Sequence, residues 1–182
     1  MLIFIDLDGT LVDYNIGEVT PKTKEALIQV IEAGHKVFLN TERPAFRLVN
    51  LDLSLFDGYI CYSGGLIVVD KKILFHAFIN IDILEQIVPI SDEFATDLAF
   101  MEIKSAYYSG KTLEYLAGMP DGHEKGKKIE GSTTNFNLYK TDKIYKAGLY
   151  CKNDNDVELF RKKLCNTCTI TFGEKVSKRG IY

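Results

Sequence analysis

The stretch Leu2-Ile3-Phe4-Ile5-Asp6-Leu7-Asp8-Gly9-Thr10-Leu11-Val12 decides how the chain is read. A short apolar run ended by a carboxylate predicts a strand buried on both faces of a parallel sheet. Asp6 and Asp8 stand two positions apart, and Gly9 follows directly. If the chain leaves the strand in a turn, both carboxylates can face one pocket. One carboxylate can then attack phosphorus, while the other protonates the leaving group and later activates water. A carboxylate attacking a phosphate dianion needs its charge offset, a task suited to magnesium. Gly9 permits a close backbone turn, and Thr10 offers an amide and a hydroxyl to a phosphate. The bland alternative is an Asx turn in which Asp6 and Asp8 only cap backbone amides.

Working outward, Thr20-Pro21 predicts a helix start, with Thr20 as N-cap and Pro21 in the first helical position. Ala26, Leu27, Val30 and Ile31 make an apolar stripe at helical spacing, and Gly34 marks its end. Residues 36–39 read as a second buried strand. Thr41-Glu42-Arg43-Pro44 reads as the loop after it, with Pro44 opening a second helix. Residues 58–62 read as a third strand, followed by Ser63-Gly64-Gly65. This order predicts a right-handed parallel unit with Asp6, Thr41 and Ser63 on its carboxyl edge, where ligand chemistry gathers in open α/β sheets.

The pattern then changes. A hairpin is predicted around Asp70-Lys71-Lys72, and a helix over 81–88 that Pro89 ends or kinks. Strands are predicted over 98–103, 146–150 and 169–172, and an exposed loop over 118–134. Residues 156–164 form an amphipathic helix, capped by Asn153 or Asp154. The expected domains are a core over 1–79, an inserted α+β cap over 80–174, and a return to the core over 175–182.

Composition narrows the function. Hydrophobic residues make up 46% of the 182, enough for a real core. The 22 basic and 25 acidic residues leave a net charge of −3, so no broad basic field exists to hold nucleic acid or an anionic membrane. The densest basic stretch, residues 125–128, has acidic neighbours and reads as a solvated turn. No run approaches the roughly 18 apolar residues of a membrane span. Without a secretory signal, the four cysteines imply a reduced, cytoplasmic setting. Cys165-Asn166-Thr167-Cys168 has redox or zinc spacing but lacks a second ligand pair. Tyr107, Tyr108 and Tyr115 read either as a sugar-binding surface or as buried packing.

The stretch from Phe4 to Val12 resembles the first motif of the haloacid dehalogenase-like (HAD) hydrolase superfamily. Residues 19–27 resemble the first helix of its Cof-type sugar-phosphatase branch. Residues 34–44 resemble its second motif, 62–67 its Asn-Gly-Ala-type turn, and Val176-Ser177-Lys178-Arg179-Gly180 its third motif. The resemblance implies an α/β fold: a Rossmann-like parallel-sheet core, incomplete at about three parallel strands, with an inserted α+β cap that chooses the substrate. It implies a magnesium-dependent phosphatase acting on a small phosphorylated metabolite through an aspartyl-phosphate. Asp6 would be the nucleophile and Asp8 the acid/base. The Asp6 carboxylate and the Asp8 main-chain carbonyl would hold Mg2+. Gly9, Thr10, Thr41, Glu42, Arg43 and Lys178 would be the phosphate- or substrate-contacting set.

Two departures accompany the resemblance. Glu42 stands where the family has Gly, and its charge would repel phosphate unless it turns away or pairs with Arg43. The family's fourth motif, Gly-Asp-x-x-Asn-Asp, has no counterpart in these residues. The expectation is therefore a chain truncated before that motif, with the first strand left as an exposed edge open to self-association. The alternative function is a catalytically impaired remnant that binds a partner or has no function.

Overall fold

The computed structural model describes residues 1–12, 18–48, 51–94, 96–109, 132–133, 136–141, 143–151 and 154–166. These divide into two compact units, Met1–Ala77 and the described residues from Phe78 onward.

The first unit is built on one five-stranded sheet in sequential order. Its strands are β1 (Leu2–Asp6), β2 (Lys36–Asn40), β3 (Gly58–Cys61), β4 (Leu66–Val69) and β5 (Lys72–His76). The first three run parallel, with Asp6 opposite Asn40 and Asn40 opposite Ile60. The last two are antiparallel additions. The sheet is thus the mixed, Rossmann-like α/β arrangement expected, with three parallel strands. Helix α1 (Pro21–Glu32) starts as predicted: Thr20 Oγ1 accepts the Thr23 amide, and Pro21 opens the helix. It ends in a Schellman motif, with Gly34 at φ +81, its amide on Ile31 and the His35 amide on Val30. The predicted apolar stripe is only partly realised, because Leu27 is buried but Ala26 is exposed.

The second helix predicted after Pro44 does not form. Two 3₁₀ turns, Ala45–Leu48 and Leu53–Leu55, occupy the crossover among the described residues. Asp52 explains the second turn, because its side chain accepts both the Ser54 amide and the Ser54 hydroxyl. Such local bonds compete with a helical ladder. The β4–β5 hairpin turns on Asp70 and Lys71 alone, with φ of 48° and 63°, as a primed two-residue turn requires. Lys72, expected in the turn, begins β5.

In the sheet, Val37, Leu39, Cys61, Leu66 and Val68 share one buried face. On the other face Leu2 and Phe4 are 61% and 55% exposed, and Phe4 stacks on Phe38 at 5.1 Å between ring centroids. Among the described residues β1 pairs with β2 alone, so it is a sheet edge.

The second unit has a four-stranded sheet of order β8-β7-β6-β9. Its strands are β6 (Asp97–Met101), β7 (Ala106–Tyr108), β8 (Ser132–Thr133) and β9 (Lys146–Tyr150), with helices α2 (Ile81–Glu93) and α3 (Asp154–Leu164). Leu84 and Ile87 from α2, Leu98 and Phe100 from β6, and Phe160 and Leu164 from α3 share one buried cluster. Pro89, expected to end or kink the helix, lies inside α2, and that cluster explains why the helix continues past it. The apolar face continues through Ile90 and Phe94, which pack on the same core. Tertiary burial outweighs a proline penalty of about 3 kcal/mol. Ser132–Thr133, expected in an exposed loop, pairs parallel to β7 instead. Helix α3 begins two residues earlier than predicted and so includes Asp154; Asn153 lies outside the described residues, as do the predicted strand over 169–172 and the return over 175–182.

Candidate functional site

The turn after β1 is held by one carbonyl. Leu7 C=O accepts the amides of Leu11 and Val12 at 3.0 and 2.8 Å, and more distantly that of Thr10 at 3.4 Å. The Leu7 side chain is fully buried and anchors the turn in the core. Gly9 sits at φ +80, a conformation costly for a side-chain-bearing residue, and its amide donates to Val12 C=O at 2.9 Å. This geometry sends Asp6 and Asp8 to different partners. Thr10 Oγ1 lies 3.4 Å from Asp6 Oδ2. Asp8 is taken up by Arg43 in a bidentate fork, Nε to Oδ2 at 2.9 Å and the terminal guanidinium nitrogen to Oδ1 at 2.5 Å.

Arg43 could be read equally as a substrate contact or as a structural salt bridge. The structure puts its guanidinium on Asp8. Its backbone is fixed from two sides: the Arg43 amide donates to Thr41 Oγ1 at 3.1 Å, and its carbonyl accepts the Tyr62 amide at 3.3 Å. Thr41 is itself buried, and its amide donates to Ile60 C=O at 2.9 Å. The loops after β1, β2 and β3 are thereby tied together.

After β3 the chain makes three consecutive residues with positive φ: Tyr62 at 53°, Ser63 at 55° and Gly64 at 97°. Left-handed backbone at a non-glycine residue costs about 1–2 kcal/mol. Burial of Tyr62 and the Gly65 amide bond to Tyr62 C=O help to hold the turn. Its result is to bring Ser63 toward Asp6.

Asp6, Asn40, Thr41, Glu42 and Ser63 line a cleft of about 240 Å³ at the carboxyl ends of the parallel strands. The predicted residues Asp6, Thr41 and Glu42 are brought together there. Lys178 and the rest of the third motif lie outside the described residues. Sequence reading missed Asn40 as a lining residue. Its signal was available in the strand register, because the last residue of β2 lies opposite Asp6. Every residue lining the cleft is of a type whose side chain carries oxygen, the donor that suits a hard cation such as magnesium. Among the described residues no three His, Cys, Asp or Glu side chains converge as a metal site. Magnesium fits such a place, since it is held by one or two carboxylates and keeps several waters.

Other candidates resolve as packing. Tyr107 and Tyr108 are buried, so neither presents a sugar-binding surface; Tyr115 lies outside the described residues. Cys165 is exposed and Cys168 is not among the described residues. Burial pushes the Cys61 thiol up to about 12 and the Cys151 thiol up to about 11, so neither is a ready nucleophile. No described helix is long and apolar enough to cross a membrane.

Comparison with solved structures places this architecture among known ones. A subclass IIB sugar phosphatase of the HAD superfamily superposes with a TM-score of 0.78 at 19% identity, over 99% of this chain and 68% of that one. A HAD-superfamily phosphatase from Bacteroides thetaiotaomicron gives 0.78 at 17% identity, over 99% and 65%. A Thermotoga maritima protein gives 0.74 at 14%, over 99% and 68%. The chain thus spans about two thirds of the length of these proteins. No curated protein matches it by sequence. The family profile of haloacid dehalogenase-like hydrolases matches residues 3–181. With the Asp-x-Asp-Gly-Thr turn at the end of its first strand and the shared fold, the chain belongs to the haloacid dehalogenase-like hydrolases.

Proposed function

We propose that this chain is a magnesium-dependent phosphatase of the Cof type, acting on a small phosphorylated metabolite such as a sugar phosphate. The observation that carries the reading is the placement of Asp6 beside Thr41, Asn40 and Ser63 in one cleft on the carboxyl edge of the sheet. The sugar-phosphatase neighbours support the substrate class. Asp6 attacks phosphorus, forming an acyl phosphate as the ester oxygen leaves, and Asp8 gives that oxygen a proton. Water then attacks the phosphorus and Asp8 takes its proton, releasing inorganic phosphate and restoring the Asp6 carboxylate. The Thr10 and Thr41 hydroxyls hold phosphoryl oxygens, joined by Lys178. The Asp6 carboxylate and the Asp8 carbonyl would hold magnesium, which when bound offsets the charge between carboxylate and phosphate.

A second reading, a binding protein without turnover, is favoured by Glu42, an acidic residue lining the cleft. Hydrolysis of para-nitrophenyl phosphate across a magnesium titration separates the two. The phosphatase reading expects turnover that needs the metal and that Asp6→Asn abolishes. Absence of turnover at every magnesium concentration, with phosphate still bound, establishes the second reading.

A further inference from the structure

We infer that Arg43 is a positioning residue for Asp8, an inference that rests on the phosphatase reading above. A bidentate guanidinium fixes the plane and direction of a carboxylate as well as its charge, because two parallel N–H donors meet two oxygens in one geometry. Asp8 lies in a turn at the edge of a glycine with positive φ. The Arg43 fork, at 2.9 and 2.5 Å, holds its side chain in one orientation. The pair is half-buried, with the Arg43 and Asp8 side chains 20% and 29% exposed.

The backbone of Arg43 makes the arrangement specific. Its amide is on the Thr41 hydroxyl and its carbonyl on the Tyr62 amide. Arg43 therefore reports the position of the β2 and β3 loops to the carboxylate on the β1 loop. A group that must first protonate one oxygen and then deprotonate another needs a lone pair that the fork leaves open to carry the proton, and it has to stay within hydrogen-bond reach of both; a misplacement of about 1 Å can cost roughly 100-fold in rate. Lysine cannot reproduce this function, since its ammonium is a point charge that fixes no plane. An arginine that bound phosphate directly would act differently, on substrate affinity.

Leaving-group chemistry distinguishes these roles. An alkyl phosphate needs an acid to leave, whereas para-nitrophenolate leaves largely unaided. In Arg43→Gln and Arg43→Lys, kcat for glycerol phosphate should fall about 100-fold. The loss should exceed the loss on para-nitrophenyl phosphate at least tenfold, with KM for both within about threefold of the parent. Asp8→Asn should show the same selectivity. Equal losses on both substrates, or a rise in KM with kcat retained, overturn the inference. If the parent chain turns over neither ester, the phosphatase reading fails. The Arg43–Asp8 pairing on which the inference stands is then decided by the 15N-resolved Arg43 Nε–H resonance. It should exchange slowly with water and shift on Asp8→Asn; an Nε–H signal indifferent to that substitution refutes the pairing itself.

Discussion

Asp57 binds Lys36 across the amino end of the parallel sheet, with Nζ to Oδ1 at 2.5 Å. The other carboxylate oxygen accepts the Val37 amide at 2.9 Å. The Lys36 hydrogen bond, the Val37 amide and the Lys36 charge hold the Asp57 carboxyl below its ordinary 3.8. The hydrogen bond and charge of Asp57, with Asp70 adding a smaller effect, raise the Lys36 ammonium above 10.5. A carboxyl with a lowered pKa stabilises the fold above its unfolded value, and that stability is lost as pH falls through the folded one. An ammonium with a raised pKa stabilises below its unfolded value, and loses that contribution as pH rises through the folded one. The stability difference between the parent and Asp57→Asn should be level from about pH 5 to 9 and shrink on both sides. Urea denaturation across pH measures it, and a difference that grows below pH 4 would refute the pairing.

Gly58 is required for space, not for backbone freedom. A Cβ there would lie 2.2 Å from the Val68 carbonyl oxygen and 3.1 Å from the Phe38 ring. The nearest obstacle is backbone in the paired strand β4, which cannot swing aside. Gly58→Ala should destabilise the fold by about 1–3 kcal/mol, read from the denaturation midpoint.

Glu42 lines the cleft in which the proposed function seats a phosphate. Glu42→Gln should tighten inhibition by inorganic phosphate by about fivefold, equivalent to roughly 1 kcal/mol. The gain should diminish as salt rises toward 1 M. If the substitution weakens phosphate instead, Glu42 serves the site through a cation.

Among the described residues β1 pairs with β2 alone, and its Leu2 and Phe4 are exposed. Sedimentation of this chain should show self-association that increases with concentration. Phe4→Lys should suppress it by placing a charge on the edge. Loss of the stack on Phe38 should cost about 1 kcal/mol without unfolding the chain.

The cysteines should divide by burial. At pH 8 in the native state, iodoacetamide should label Cys165 and spare Cys61 and Cys151, as peptide mass spectrometry can read. Labelling of Cys61 without denaturant would show that the buried face of the sheet opens readily.

Local chemistry made much of this legible in the sequence. Thr20-Pro21 and Gly34 mark the ends of α1 because caps depend on residues within a few positions of each other. The Asp6-to-Leu11 segment pointed to the family, because two carboxylates and a tight glycine turn at fixed spacing form a local pattern. The failures occurred where distant contacts outweigh local preference. Pro89 stays inside α2 because its helix face is buried against β6 and α3. Pro44 opens no α-helix, and Asp52 further along directs its own turn. Tyr107 and Tyr108, open to either reading, are core because β7 is covered.

The sequence by itself determined where the family's first two motifs fall: Asp6 and Asp8 at the end of the first strand, with Thr41 just past the end of the second. Only the tertiary structure decided how they are arranged. It set Asp6 in the cleft with Asn40 and Glu42, and it gave Asp8 to Arg43. The physical reason is range. Spacing along the chain fixes the turn that presents two carboxylates, but strand register and loop packing bring a guanidinium 35 residues away onto one of them.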